Sequence, residues 1–339
     1  MNNDRLTFQL PTTPPPPWRE FKKRMNRQVR AKNYQPSERE VKLINAALML
    51  RRPLLIEGPP GVGKSSLAHA AAYKLGLDDV LQWPITSKST RQDGLYSYDA
   101  LARLQEAALL EKRTAQEKHF DQNRYQDAQK KIEDIGRYIS LGPLGTALLR
   151  STPDKPCVVL IDELDKSDID LPNDLLHLFE EGEFQIPEIA RLPDSDHADK
   201  IMVCAHNSTE KLPVEPDGVV RCHAFPLVIM TSNGEREFPA AFLRRCLRLK
   251  ISQPTEEELR RIIHGHLNMN VPGTSNEDLS AEQQATQKLL ADFLDKRGEQ
   301  SRLATGQLLD AMYLFNSGVE LSEEENKYLY RAVFEALSE

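Results

Sequence analysis

The chain has 339 residues, more than one ordinary domain needs, and its 40% hydrophobic and 28% charged content supplies ample material for a core. Its formal net charge of −7 argues against non-specific nucleic-acid binding as the main task, without excluding a local basic groove. Four scattered cysteines, Cys157, Cys204, Cys222 and Cys246, argue against a disulfide framework; no apolar run reaches the ~18 residues of a membrane span, and the N-terminus has no signal-type apolar core, so a cytoplasmic location is expected.

Residues 1–36 read as an arm. It opens polar and proline-rich, reaches Pro14-Pro-Pro-Pro17-Trp18, and predicts polyproline geometry with Trp18 tucked onto the body. Seven basic residues follow (Arg19, Lys22, Lys23, Arg24, Arg27, Arg30 and Lys32), expected as a solvated face. Ser37-Glu-Arg-Glu40 has capping-box spacing and predicts a helix to about Arg51, with Val41, Ile44, Ala47 and Leu48 on one face.

Pro53–Glu57 is a short apolar strand and Ser66–Leu75 a helix; between them runs Gly58-Pro59-Pro60-Gly61-Val62-Gly63-Lys64-Ser65. Strand, glycine-rich turn and helix are the context of a phosphate-binding loop. The glycines let the backbone approach a polyphosphate, and amides at a helix N-terminus favour negative charge. Lys64 is placed to reach the β- and γ-phosphates and the Ser65 hydroxyl to hold Mg²⁺, with Ser66 next along the helix.

Val80–Ile85 predicts a second strand, at an edge because of Pro84. Thr86–Gly94 reads as a polar loop, and Tyr98–Ile139 as a long helical region whose polar middle, Glu111–Lys131, is either a protruding helical hairpin or a mobile insertion. Gly142–Leu149 returns to the body. Cys157–Ile161 is a buried strand ending in Asp162-Glu163, two carboxylates at the edge where open α/β sheets bind ligands. Asp162 is expected in the Mg²⁺ shell and Glu163 as the group that polarises a water against the γ-phosphate.

Leu171–Glu181 is an amphipathic helix stopped by Gly182, and Glu183–Ile189 a short strand or hairpin arm. Residues 190–224 read as irregular. Phe225–Met230 is a further buried strand ending in Thr231-Ser-Asn233, which puts Asn233 at the same edge, able to orient the attacking water. A short helix ends in Arg244-Arg245, a pair able to supply an arginine finger, and Leu247–Ile251 is strand-like. From Thr255 the chain predicts only helices, at about 255–269, 280–297, 305–315 and 322–337. Cys204, His206, Cys222 and His223 raise a zinc site, but neither pair has the usual ligand spacing.

The order of Gly58–Ser65, Ile161-Asp162-Glu163, Thr231-Ser-Asn233 and Ala241-Phe-Leu-Arg244-Arg245, with a helical tail, resembles an AAA+ ATPase over about residues 37–320. Ile56–Ser65, Gly142-Pro-Leu144, the run from Asp162 to Lys166, Glu180-Glu-Gly182 and Phe225-Pro-Leu-Val-Ile look like the MoxR branch. The resemblance implies an α/β P-loop NTPase domain over 37–253, with a helical insertion at 100–140 and an insert or hairpin region at 182–224, followed by an all-α lid over 254–339. It implies ATP with Mg²⁺, bound between the subunits of a ring that is usually a hexamer. It also implies remodelling or activation of partner proteins, commonly ones carrying a von Willebrand factor A domain. By position, Lys64 and Ser65 are the phosphate and Mg²⁺ residues, Asp162 and Glu163 the Walker B pair, and Asn233 sensor 1. Relatives often read Asp-Arg-Phe where this chain has Arg244-Arg245-Cys246, which makes Arg245 the better finger candidate and Arg244 the second. Arg302 is the best fit to a sensor 2 arginine. Competing readings are a nucleotide-gated scaffold with little turnover and a nucleic-acid motor, which the acidic balance disfavours; a GTPase lacks its N-K-x-D motif here.

Overall fold

The structure, a computed structural model, describes residues 14–19, 31–116, 122–192, 200–271, 280–299, 303–316 and 333. The expected helix at 322–337 lies outside them except for Val333, as do Arg302 and the basic residues from Lys22 to Arg30. The described residues form two compact units: one drawn from Met1–Gln35, Gly58–Ala70 and Ile251–Glu339, the other from Pro36–Glu57 and Ala71–Lys250.

In chain order the strands are β1 (Leu54–Glu57), β2 (Leu81–Pro84), β3 (Tyr96–Tyr98), β4 (Ile139–Leu141), β5 (Val158–Asp162), β6 (Glu183–Gln185), β7 (Ile201–Cys204), β8 (Lys211–Val214), β9 (Val219–Arg221), β10 (Leu227–Ser232) and β11 (Leu247–Lys250). The helices are α1 (Glu38–Leu50), α2 (Lys64–Lys74), α3 (Arg91–Leu95), α4 (Ala100–Gln116), α5 (Gln122–Glu133), α6 (Pro143–Arg150), α7 (Leu171–Glu181), α8 (Pro187–Ala190), α9 (Ala240–Arg245), α10 (Glu256–Leu267), α11 (Ala281–Glu299) and α12 (Thr305–Asn316).

Five parallel strands in the order β11-β1-β10-β5-β2 make the central sheet. The inner strands β1, β10 and β5 bury nearly every side chain, which is why they read as unbroken apolar runs, while the edge strands β11 and β2 keep exposed residues. Leu54, Leu55, Ile56, Val159, Leu160 and Ile161 are all fully buried, each contributing on the order of 2 kcal/mol relative to exposure. Helix α1 packs on β1 and β11, and α6 on β2 and β5. β2 closes one edge, as Pro84 predicts. The register sets Glu57 beside Ser232 and Asp162 beside Pro84, so the C-terminal ends of β1, β10, β5 and β2 share one edge.

The capping box is present: Glu40 N–H donates to Ser37 Oγ, and Ser37 N–H donates to Glu40 Oε2 at 2.6 Å. Ile44 and Ala47 are buried, but Val41 is exposed, because the packed stripe of α1 is narrower than its apolar run. Thr86–Gly94 is not all loop. Thr90 N–H donates to Asp93 Oδ2 at 2.8 Å and starts α3.

The long helical region is two helices, α4 and α5, that pack on each other. Its ends are strands instead: β3 and β4 pair antiparallel, Tyr96 opposite Leu141 and Tyr98 opposite Ile139. Arg103 Nε donates to Ile132 O at 3.2 Å and Tyr138 Oη to Glu106 Oε2 at 2.7 Å across the base of the pair. The stretch 190–224 is not irregular throughout: β7 and β8 form an antiparallel hairpin joined to β3 and β4 in a four-stranded sheet, and β9 pairs with β6. These strands are three or four residues long and alternate, with Ile201 and Val203 buried and Met202 exposed.

In the other unit Leu259, Ile263, Leu290, Phe293, Leu308 and Met312 build an all-helical core from α10, α11 and α12. Trp18 joins it. Its indole N–H donates to Asp310 Oδ1 at 2.7 Å, and its ring meets His266 and Tyr313 edge-on.

Candidate functional site

The phosphate-loop candidate spans Gly58 to Ser66. Gly61 (φ 75°) and Gly63 (φ 95°) adopt left-handed backbone that side chains rarely accept. Space forbids a side chain there as well. A Cβ on Gly61 would stand 2.4 Å from Ala304 Cβ, and one on Gly63 2.9 Å from the Tyr34 ring. The Tyr34 ring therefore lies against Gly63, and Ala304, just before α12, against Gly61. α2 begins at Lys64, which puts Ser65 and Ser66 in its first turn, where backbone N–H groups have no intrahelical partner. Pro59 and Val62 are half-buried and Pro60 exposed. Lys64 is 7% exposed, and its ammonium donates to Gly58 O at 2.7 Å and Pro59 O at 2.8 Å. A cationic, backbone-lined loop at a helix start fits a polyphosphate.

The carboxylate pair leaves the second-to-last strand of the sheet order, β5, between β10 and β2. Asp162 ends the strand, and Glu163 turns sharply at φ 61° into a short 3-10 turn, Leu164–Lys166. A non-glycine residue in that region is held there by its surroundings. The hydroxyl of Thr231, at the end of β10, does the holding. It donates to Asp162 Oδ1 at 2.7 Å and accepts the Glu163 N–H at 2.8 Å. Glu163 Oε2 lies 2.7 Å from Lys166 Nζ, and this hydrogen bond raises the Lys166 pKa. Asp165, 5% exposed, accepts the N–H of Asn233 at 2.8 Å and of Glu235 at 3.2 Å on one oxygen, Oδ2. Asp162, Glu163 and Asn233 are thus brought to one sheet edge. Thr231, Asp165 and Lys166 were not singled out from sequence. Asp165 and Lys166 stand within the same acidic run and Thr231 within the Thr-Ser-Asn run, but their roles depend on pairing between strands far apart in the chain.

Arg244 and Arg245 end α9, beside Arg52 just ahead of β1 rather than at the C-terminal strand ends. With Arg51, Arg52, Pro53, Phe179 and Glu180 they line a cavity of about 310 Å³. Arg245 is ion-paired to Glu180, and Arg52 donates to the carbonyls of Arg244 and Arg245, the latter at 3.0 Å. Four guanidinium groups and one carboxylate leave this cavity cationic. Arg302 lies outside the described residues; Leu303 and Ala304 follow it, and Ala304 is the residue against Gly61.

Among the described residues no group of three or more His, Cys, Asp or Glu is arranged to hold a metal ion. Cys204, His206, Cys222 and His223 are therefore not gathered into a zinc site. The His206 N–H donates to Thr146 Oγ1, and Cys222 Sγ packs on Gly182. The described cysteines are free thiols, Cys246 being pushed up to about 12 by burial. Among the described residues no helix is long and apolar enough to cross a membrane.

A parallel sheet flanked by helices, a glycine-rich loop running into a helix, an Asp-Glu strand end and a helical C-terminal region define a P-loop nucleotide-binding protein of the AAA+ class. Residues 53–246, more than half of the chain, match the family described as AAA domain (dynein-related subfamily), and the chain belongs to that family. Curated proteins give no match. Among solved structures, domain III of the replication initiation protein DnaA from Thermotoga maritima is 16% identical, covering 91% of this chain and 97% of its own at a TM-score of 0.38. PCH-2 of C. elegans is 16% identical, covering 92% and 73%, at a TM-score of 0.40. At these values neither likeness bears on function.

Proposed function

We propose that the chain is a MoxR-like, ring-forming ATPase that hydrolyses ATP to ADP and phosphate and uses the cycle to remodel or activate partner proteins. The observation that carries this reading is the stitched sheet edge: the Thr231 hydroxyl fixes both Asp162 and Glu163 while Asn233 follows it by two residues. In this reading the loop amides and Lys64 bind the phosphates, Ser65 and Asp162 hold Mg²⁺, and Glu163 takes a proton from the attacking water that Asn233 orients. Mg²⁺, when bound, neutralises charge on the phosphate oxygens. Arg245, with Arg244 as second candidate, is supplied to the neighbouring subunit's nucleotide from the cationic cavity, and Arg302 is the sensor 2 residue. A partner with a von Willebrand factor A domain and a hexameric ring belong to the same proposal and rest on the MoxR-like residue runs; a cytoplasmic setting belongs to it too and rests on the scattered cysteines.

A second reading, a nucleotide-gated scaffold with little turnover, is favoured by one contact, the Glu163–Lys166 pair that occupies the general base. The deciding experiment is ATP turnover against protein concentration for wild type and Glu163→Gln, with mass followed by light scattering. Turnover per subunit that rises with assembly and vanishes in the variant supports the ATPase. Assembly with ATP but without turnover supports the scaffold.

A further inference from the structure

We infer that Asp165 is a positioning residue that sets the orientation of Asn233 and couples it to the turn bearing Glu163. The inference rests on the ATPase reading above and goes beyond it. Asp165 sits in the 3-10 turn two residues past Glu163 and is buried, yet its carboxylate is spent on backbone rather than on a cation. Oδ2 accepts both the Asn233 and Glu235 N–H groups, which fixes the peptide that enters Asn233 and the peptide between Gly234 and Glu235 just beyond it. Oδ1, also buried, has no hydrogen-bond partner among the described residues. A buried carboxylate with a vacant oxygen is costly, so the two amide bonds it does make carry the offset. A second tie runs the same way: Arg236 Nη2 donates to Asp168 O at 3.2 Å, fastening the segment after Asn233 to the chain after Lys166. Together with Thr231 at the strand ends, these bonds join the Glu163 turn and the Asn233 loop into one piece, so movement of either displaces the other.

The test is a double-mutant cycle on ATP hydrolysis with Mg²⁺ present, comparing wild type, Asp165→Ala, Asn233→Ala and the double variant, with Glu163→Gln in the same assay. Asp165→Ala should lower kcat by about tenfold or more while KM changes by less than about twofold, and the double variant should be no slower than Asn233→Ala alone. A loss of fold would instead move KM and the unfolding midpoint together. Wild-type kcat in Asp165→Ala or in Asn233→Ala, or losses that multiply in the double variant, overturns the inference. Should Asp165→Ala not fold, Asp165→Glu carries the cycle: it keeps the charge but displaces the acceptor by one methylene, and the same absorbed effect is required. Absence of turnover in the wild type would overturn the ATPase reading itself, and unchanged turnover in Glu163→Gln the assignment of Glu163 as its base; both are separate outcomes.

Discussion

Lys166 Nζ lies 2.7 Å from Glu163 Oε2, three residues along the same turn. In the proposed hydrolysis, Glu163 has to leave this pair before it can accept a proton from water. Both side chains are more than two-fifths exposed, and such pairs are worth about 0.2–1 kcal/mol. Lys166→Met is therefore expected to raise basal ATP turnover by at most about fivefold. Steady-state phosphate release checks this, and a fall in rate would mean that the lysine assists the base.

Thr231 is fully buried and serves Asp162 and Glu163 with one hydroxyl. Thr231→Val keeps the shape and removes both bonds. The expected result is a loss of about 1–3 kcal/mol of stability, together with a clear fall in kcat. Thr231→Ser, which keeps the hydroxyl, should stay near wild type in urea unfolding and turnover.

Gly61 and Gly76 both have positive φ, but only Gly61 lacks room. Gly76→Ala faces nothing within 4 Å and should carry the backbone cost alone, on the order of 1 kcal/mol. Gly61→Ala adds a 2.4 Å approach to Ala304 Cβ and should be clearly more destabilised and fail to bind ATP. Chemical denaturation and equilibrium nucleotide binding separate the two.

Arg245 can be tested for action between subunits. Arg245→Ala alone should cut turnover by about a thousandfold or more, with ATP binding intact. Lys64→Ala subunits should not bind ATP but still carry Arg245. Mixing the two inactive proteins should restore turnover if the arginine serves a neighbour; a mixture as inactive as its parts argues against that assignment.

Burial lowers the His206 pKa below its ordinary 6.5. The neutral ring is then the native form, so its stabilising contribution is complete above the unfolded-state value and is lost as pH falls through the depressed one. Asn207 Nδ2 lies 2.8 Å from His206 Nε2, a contact a protonated ring could not accept. The unfolding midpoint should drop between pH 7.5 and 5.5, and less so in His206→Gln.

The central sheet was legible because strands buried on both faces leave continuous apolar text, as in Leu54–Ile56, Val158–Ile161 and Leu227–Met230. β7, β8 and β9 were not, since three or four alternating residues interrupted by Pro213 and Gly218 carry no period long enough to separate from turns. The loop and the Asp162-Glu163 pair could be named from sequence because their chemistry is local to one stretch. Their supports could not be: Thr231 reaches Asp162 across 69 positions and Asp165 reaches Asn233 across 68, distances that only the strand order closes.

The pairing of β3 with β4 has a further consequence. Because Tyr96 and Leu141 already face each other, the chain departs into α4 and comes back from α5 at neighbouring points. The two helices leave and rejoin the sheet at one seam, where the Asp99 N–H donates to Tyr138 O at 2.8 Å, while Ile135 at the returning end stays buried in the core against β7. The same seam would accept a different appendage, so the length and chemistry of this insertion can vary while the strands that carry Asp162 and Asn233 keep their pairing.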